Sequence, residues 1–327
     1  MAFDNIVLDL YVYSGESVDY GSSDLKYTLN KSLITGEDKI NFEVGELIRD
    51  YLSIEFNNDY NSYALWVRVD ATIRDENDVE FTYGSPNSQT FIALDGYGYF
   101  EEGLNPELSR HCLLTTNTLY LPEGTIGKLP IFAEGVGKVT IDSTDTEITD
   151  NGNTNQKIQY INIPADSTNI KIYDTDDSTL LKTISVNNIC EPKYEVYKIT
   201  FINRFGAFQD IYFYKKTTEK FVVTDETYKR NIFESSGTYD TYRGQRERYN
   251  TNARTTITLN TGFVNEDFNS VIEELFLSEA CWIRWKGQTL SIIPKSKDLQ
   301  LKTSLNDKLA NYTIAFEFAF NKINNVR

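Results

Sequence analysis

The stretch LANYTIAFEFAF, residues 309–320, alternates strictly: Tyr312, Ile314, Phe316, Phe318 and Phe320 fall on one side, and Asn311, Thr313, Ala315, Glu317 and Ala319 on the other. A period of two places successive side chains on opposite faces of a strand, so this run reads as a long strand with one aromatic, buried face. Upstream, Asn265-Glu266-Asp267 precedes Phe268, Val271, Ile272, Leu275 and Phe276, an i, i+3, i+4, i+7, i+8 stripe with a polar N-cap candidate and an acidic first turn. That spacing predicts one amphipathic helix of about four turns. Strand and helix together predict a sheet carrying a single helix on its apolar face. Tyr194 to Asn203 and Phe208 to Tyr214 read as two further strands joined by a tight turn at Arg204-Phe205-Gly206-Ala207.

The remaining chain repeats the theme. Leu65, Val67, Val69, Ala71 and Ile73 alternate with Trp66, Arg68, Asp70 and Thr72, which predicts a half-buried strand within Tyr63 to Ile73. Val79 to Tyr83 and Gln89 to Leu94 are expected to be further members of the same sandwich, and Ile6 to Tyr13 reads as an opening strand. A short helix is expected between Phe42 and Leu52, where Val44, Leu47, Ile48 and Tyr51 recur at helical spacing. Between Gly124 and Ile189 short strand candidates follow one another: Leu129 to Phe132, Gly137 to Ile141, Lys157 to Ile163, Asn169 to Tyr173 and Leu180 to Val186. The fold class is therefore mainly β, with two or three β-sandwich-like domains: an N-terminal β domain with a short helix (1–123), a small β-sandwich-like domain (124–189) and a C-terminal β domain with the helix packed on its sheet (190–327).

Composition narrows the function classes. The 327 residues include 22 Tyr and 19 Phe, which suit pleated, half-buried surfaces, and no internal repeat is visible. A formal charge of −16 opposes binding to phosphate backbones, although an acidic wall would let DNA slide past without sticking. Cys112, Cys190 and Cys281 are odd in number and lack CxxC spacing, which signals neither a disulfide framework nor a zinc site. Asp4 and Asp9 interrupt the opening run where a signal peptide needs a basic leader and unbroken apolar residues, and no 18-residue apolar stretch follows, so no membrane insertion is expected.

Candidate chemistry is sparse. The single histidine, His111, adjoins Cys112, but neighbours on a strand face opposite ways and would not form a nucleophilic pair. The acids Asp142, Asp145, Glu147, Asp150, Asp174, Asp176 and Asp177 lack EF-hand spacing and read as solvated turns. Gly96-Tyr97-Gly98 has no following helix pattern and reads as a structural turn, and no P-loop is present. No cofactor and no metal is called for, and the expectation is a non-enzymatic protein. Ser235 to Arg254 stands apart: Arg243, Arg246, Arg248 and Arg254 interleave with Tyr239, Tyr242 and Tyr249, the residue types that anchor interfaces. It reads either as a subunit contact arm or as a solvated hairpin tip. Trp282 and Trp285, with the aromatics of Gly96 to Phe100, offer a rival site, a carbohydrate-binding surface on a receptor-binding or decoration protein. A carboxylate-pair glycosidase is a third reading, with no pair singled out.

Three strings carry a resemblance. Tyr197-Lys198-Ile199-Thr200-Phe201-Ile202-Asn203-Arg204-Phe205-Gly206 with Gln209-Asp210, Ile257-Thr258-Leu259-Asn260-Thr261-Gly262-Phe263-Val264 leading to Leu277-Ser278-Glu279, and Leu309 to Thr313 running into Phe318 to Lys322 resemble segments of virion proteins of phages infecting Bacteroidetes. Over residues 190–327 the chain resembles the tail ring proteins of crAss-like podoviruses. The resemblance implies a virion tail component, assembled in the host bacterial cytoplasm, that forms a twelvefold homo-oligomeric ring between the portal and the distal tail. Its implied partners are further copies of itself, neighbouring portal and tail proteins, and double-stranded DNA passing through the lumen without specific binding. A hexameric tail-tube terminator or distal tail protein is a related alternative, and no catalytic residue is carried over.

Overall fold

A computed structural model describes residues 5–34, 37, 39–75, 77, 79–81, 87–103, 111–190, 193–233, 236–296 and 309–323. The first part holds β1 (Asn5–Tyr13), β2 (Leu25–Ser32), α1 (Gly45–Arg49), β3 (Leu65–Arg74), β4 (Glu80–Phe81) and β5 (Ser88–Ala93). The middle part holds β6 (Thr118–Pro122), β7 (Gly127–Phe132), β8 (Lys138–Ile141), β9 (Thr144–Glu147), β10 (Ile158–Ile163), β11 (Asn169–Tyr173) and β12 (Leu180–Ile189). The last part holds β13 (Tyr197–Ile202), β14 (Phe208–Phe213), β15 (Thr218–Lys229), β16 (Arg246–Asn265), α2 (Asn269–Leu277), β17 (Cys281–Trp285), β18 (Gln288–Pro294) and β19 (Leu309–Phe318).

The protein is mainly β. Its first sheet runs β2-β1-β3-β4, with β5 also on β3. Leu10, Val12 and Val67 face α1 across a small core that Ile48 completes. In the middle, a five-stranded sheet of order β6-β12-β11-β8-β9 packs against the β7/β10 pair around Leu129, Ile131, Ile163, Ile170, Ile172 and Ile184, a sandwich of aliphatic side chains. β6 lies ahead of Gly124 yet hydrogen-bonds in parallel to β12, so it belongs to this middle sheet. Two acids of the connecting turns accept backbone amides, Asp142 from Thr168 and Asn169 of a neighbouring connection and Asp176 from Ser178 and Thr179 of its own turn, while Asp145 and Asp150 pair with Lys138 and Lys157.

These amide bonds, with the Thr168 hydroxyl, hold the Asp142 carboxyl below its ordinary range. A carboxylate depressed in the folded state contributes stability above the unfolded value of about 3.9, and loses it as pH falls through the folded value. The melting-temperature gap between the wild type and Asp142→Asn is therefore expected to be widest near neutrality and to close below about pH 4. A gap that is constant with pH would remove the assignment.

The last part forms one seven-stranded sheet of order β14-β13-β17-β18-β19-β16-β15. Tyr312, Ile314, Phe316 and Phe318 of β19 point into its core beside Ile199, Phe201, Phe213 and Ile283, and α2 covers them with Val271, Ile272 and Leu275. The helix is shorter than its stripe predicts: nine residues of α-helix preceded by a 3-10 turn at Glu266–Phe268. β16 continues as strand through Asn265, whose side chain makes no capping bond, and the chain is extended again at Ser278. Phe320 lies past the end of β19 and is exposed, so the aromatic face stops at Phe318. Of the strands expected with β3, the run at Val79 to Tyr83 is strand at Glu80–Phe81, and Thr82 and Tyr83 lie outside the described residues.

One junction ties the three parts together. In the turn between β13 and β14, buried Asn203 accepts the amides of Phe205 and Ala207 and donates to the Leu113 carbonyl. The Asp95-Gly96-Tyr97 loop lies flat on this turn, with the Tyr97 amide donating 2.8 Å to the Arg204 carbonyl. Two glycines permit that approach: a Cβ on Gly96 would sit 2.7 Å from the Arg204 oxygen, and one on Gly206 2.9 Å from the Asp95 nitrogen. Phe205 and Ala207 then pack with Leu113, Phe132, Ile158, Ile92 and Leu94.

Candidate subunit interface

β15 and β16 are paired from Thr218↔Thr258 outward to Lys229↔Arg246. β16 is also paired with β19, from Thr256 inward, and its next support is the Lys322 amide on the Ala253 carbonyl. Beyond Ala253, among the described residues, the two strands have only each other. Thr224 to Lys229 alone extends about 20 Å at the usual rise per residue, and residues 230–245 connect the strands beyond it. A bulge bends the ribbon: Asn250 and Thr251 face the single residue Asp225, and Asn250 takes up a left-handed φ of 49°.

The ribbon exposes both faces. Of β15 only Val222 is even partly buried, and the first five residues of β16 are all exposed. Phe221, Phe233 and Tyr242 are 58%, 62% and 79% exposed, and Tyr228, Tyr239 and Tyr249 are also in the exposed class. The side chains nonetheless hold a definite arrangement. Arg248 donates 2.7 Å to Asp225, Tyr228 and Arg230 converge on Glu247 at 2.7 and 3.0 Å, and Arg243 lies 3.8 Å from Asp240. Tyr228 meets Tyr249 edge to face, and Phe233 meets Tyr239. Hydrogen bonding to Glu247 raises the Tyr228 phenol above its ordinary range, and Glu226 does the same for Tyr249. What this arrangement offers is a preordered set of aromatic edges and guanidinium groups.

Six of the seven residues singled out in the sequence fall on the ribbon: Tyr239, Tyr242 and Arg243 in the connection, Arg246, Arg248 and Tyr249 on the strand. Arg254 sits at the root instead, tied 3.0 Å to Glu317 and 3.3 Å to Asn321. The partner strand was missed. Phe221 and Val223 of β15, at alternate positions in a β-branched run, were the signal for it.

Of the rival aromatic surface, Phe100 is fully exposed while Tyr97 and Tyr99 meet edge to face. Trp285 stacks on Tyr197 at 5.2 Å and meets Phe318 edge to face, and Trp282 lies against Phe56 and Phe208, so the two indoles do not form one open platform. His111 bonds to the Glu134 carbonyl at 2.9 Å, while Cys112 is buried with its thiol raised by desolvation. Burial pushes the Cys281 thiol up to about 12, which leaves little thiolate for nucleophilic work. In a polar cleft of about 790 Å³, Tyr60 donates 2.6 Å to Asp210 and accepts 2.7 Å from Lys198. Burial, then the Asp210 charge, raises that phenol far above its ordinary range and keeps it a hydrogen-bond donor.

A groove of about 810 Å³ lies between α1, the 91–99 segment and the C-terminal end of α2. Its lining combines Val44, Phe91, Leu94 and Leu277 with Glu43, Glu46, Asp95 and Glu279. Arg49 crosses it, 3.1 Å from Asp95 and 2.7 Å from Glu279.

Compared with known protein families and with curated proteins, the chain matches none.

Proposed function

We propose that this protein is a structural subunit that closes into a homo-oligomeric ring, and that the ring is a component of a bacteriophage tail around the DNA channel. The observation that carries the reading is the ribbon formed by β15 and β16. A two-stranded hairpin is marginal in water and normally needs a third strand or a packed face. This one extends about 20 Å past its last support with aromatic side chains exposed on it. Such a patch is explained by burial against a partner. Aromatic residues and Arg are the types that carry binding energy at interfaces.

The three strings that resemble tail ring proteins support the same reading by their position. They occupy β13 and its turn, the root of β16 with the end of α2, and β19; of these, β16 continues into the ribbon and β19 pairs with its root. A net charge of −16 suits a channel wall past which DNA must slide. Among the described residues no helix is long and apolar enough to cross a membrane.

Quantitative mass spectrometry of purified particles, with the major capsid protein as internal standard, is expected to return about twelve copies per particle or a small multiple, as a closed ring requires. Many tens of copies would replace the ring with a decoration or fibre role, and absence from the particle would end the virion reading.

A further inference from the structure

We propose that the polar cleft between the 58–62 segment, β7, β10 and the β13/β14 pair binds a neutral saccharide, a proposal independent of the ring reading above. The cleft holds about 790 Å³, within the size range of small-molecule sites. All three parts of the chain build it: residues 58–62 from the first, Lys128 and residues 156–162 from the middle, Lys198 and Asp210 from the last. Its innermost charges are committed. Both oxygens of Asp210 accept hydroxyls at 2.6 Å, one from Tyr60 and one from Thr200. Lys198 donates 2.7 Å to the Tyr60 hydroxyl and 3.0 Å to Asn58, and Lys128 donates 2.6 Å to Asn162. The two lysines stand against Asp59 and Asp210, so the lining carries no net charge and favours neither an anion nor a cation.

Carboxamides remain. Asn58, Asn61, Gln156, Gln159 and Asn162 all line the cleft. Among the described residues, the side chains of Asn61 and Gln156 make no hydrogen bond, Asn58 and Asn162 use only their oxygen, and Gln159 only its nitrogen. A carboxamide holds donors and an acceptor in one plane, and a sugar hydroxyl is donor and acceptor at once, so neighbouring hydroxyls of a pyranose are matched by such groups. Ile126, 61% exposed, and the rings of Tyr60 and Tyr160 add apolar surface for the C–H face of the sugar. The usable amides are spread over two separate segments rather than strung along one strand edge, which suits a compact polyol better than an extended peptide. The walls are set in advance: hydrogen bonds run from Thr200 through Asp210, Tyr60 and Lys198 to Asn58, and the Tyr60 ring packs on Phe56, Tyr160 and Phe208. Groups ordered before binding lose little freedom when the ligand arrives.

The test probes the full-length chain on an array of neutral oligosaccharides of glucose, galactose, mannose and N-acetylglucosamine, with anionic glycans and peptides printed alongside. At least one neutral oligosaccharide is expected to bind, and the anionic glycans and peptides are expected to stay blank. Isothermal titration with the tightest neutral binder then compares two variants. Asn61→Ala/Gln156→Ala removes two exposed carboxamides that the fold does not use, so its melting curve should match the wild type while its affinity falls at least about tenfold. Phe100→Ala, on the rival aromatic surface, should bind like the wild type. Three results would overturn the proposal: no neutral binder, binding confined to anionic glycans or peptides, or an affinity untouched by Asn61→Ala/Gln156→Ala. Loss of binding in Phe100→Ala would overturn it too, by moving the sugar to the other surface.

Discussion

Reversing Arg243, Arg246 and Arg248 together to Glu is expected to abolish ring assembly while leaving the subunit folded. All three lie on or next to the free part of the ribbon, remote from the aromatic core of the seven-stranded sheet. Losing one partner of a desolvated, hydrogen-bonded charge pair at an interface costs about 2 to 5 kcal/mol. Three reversals at a contact repeated around a ring would therefore weaken association by several orders of magnitude. Within the subunit the cost is smaller. Arg248 gives up its exposed bond to Asp225 and Arg243 a long contact to Asp240, and exposed pairs of this kind contribute about 0 to 1 kcal/mol each. Sedimentation should show monomer in place of rings, with a cooperative melting transition lowered by about a few degrees at most. Rings of normal size and affinity would remove the ribbon from the interface.

The second large effect concerns the junction that positions the groove. Gly206 has φ of 74°, and an added Cβ would meet the Asp95 nitrogen and Leu94 Cβ at 2.9 Å. Gly206→Ala therefore combines a left-handed penalty of about 1 to 2 kcal/mol with an overpacking cost of about 1 to 3 kcal/mol. The second component is high in that range because backbone, not a flexible side chain, must yield. Gly237, in the ribbon connection, separates the two contributions: its φ is 78°, with no atom within 4 Å of the added Cβ. Gly237→Ala should lose only the conformational component. Urea unfolding that gives equal losses for the two variants would show that the loop and turn do not depend on close approach. A larger loss at Gly206 would confirm the wedge between the Asp95-Gly96-Tyr97 loop and the β13–β14 turn.

Periodicity revealed the elements whose two faces differ. The alternation in β19 and the stripe of α2 separate core from solvent, and β3 also appears close to its expected place, although only Val67 on it is buried and both its faces are otherwise partly covered. Strands exposed on both faces leave no such mark. β2, with only polar and half-exposed positions, and β15, exposed along nearly its whole length, were unmarked for that reason. The ends of α2 misled for a different one: Asn265-Glu266-Asp267 has the composition of a helix start, but the ladder to β19 holds Asn265 in the strand. The Arg and Tyr cluster was legible as an unusual local charge in an acidic chain. A hairpin tip was one of its two readings, but the partner strand and the length of the ribbon were not legible, because the register between Thr218 and Thr258 joins residues forty positions apart. The groove was equally hidden, since α1, the GYG loop and the end of α2 meet only through the junction at Gly96 and Gly206.

Native mass spectrometry of the full-length protein across a micromolar concentration series tests the central claim most directly. A closed ring predicts one dominant species above the monomer, at a single integral multiple of 37.6 kDa, that persists unchanged as concentration rises. Monomer at every concentration, or an open ladder of masses that lengthens with concentration, would contradict it.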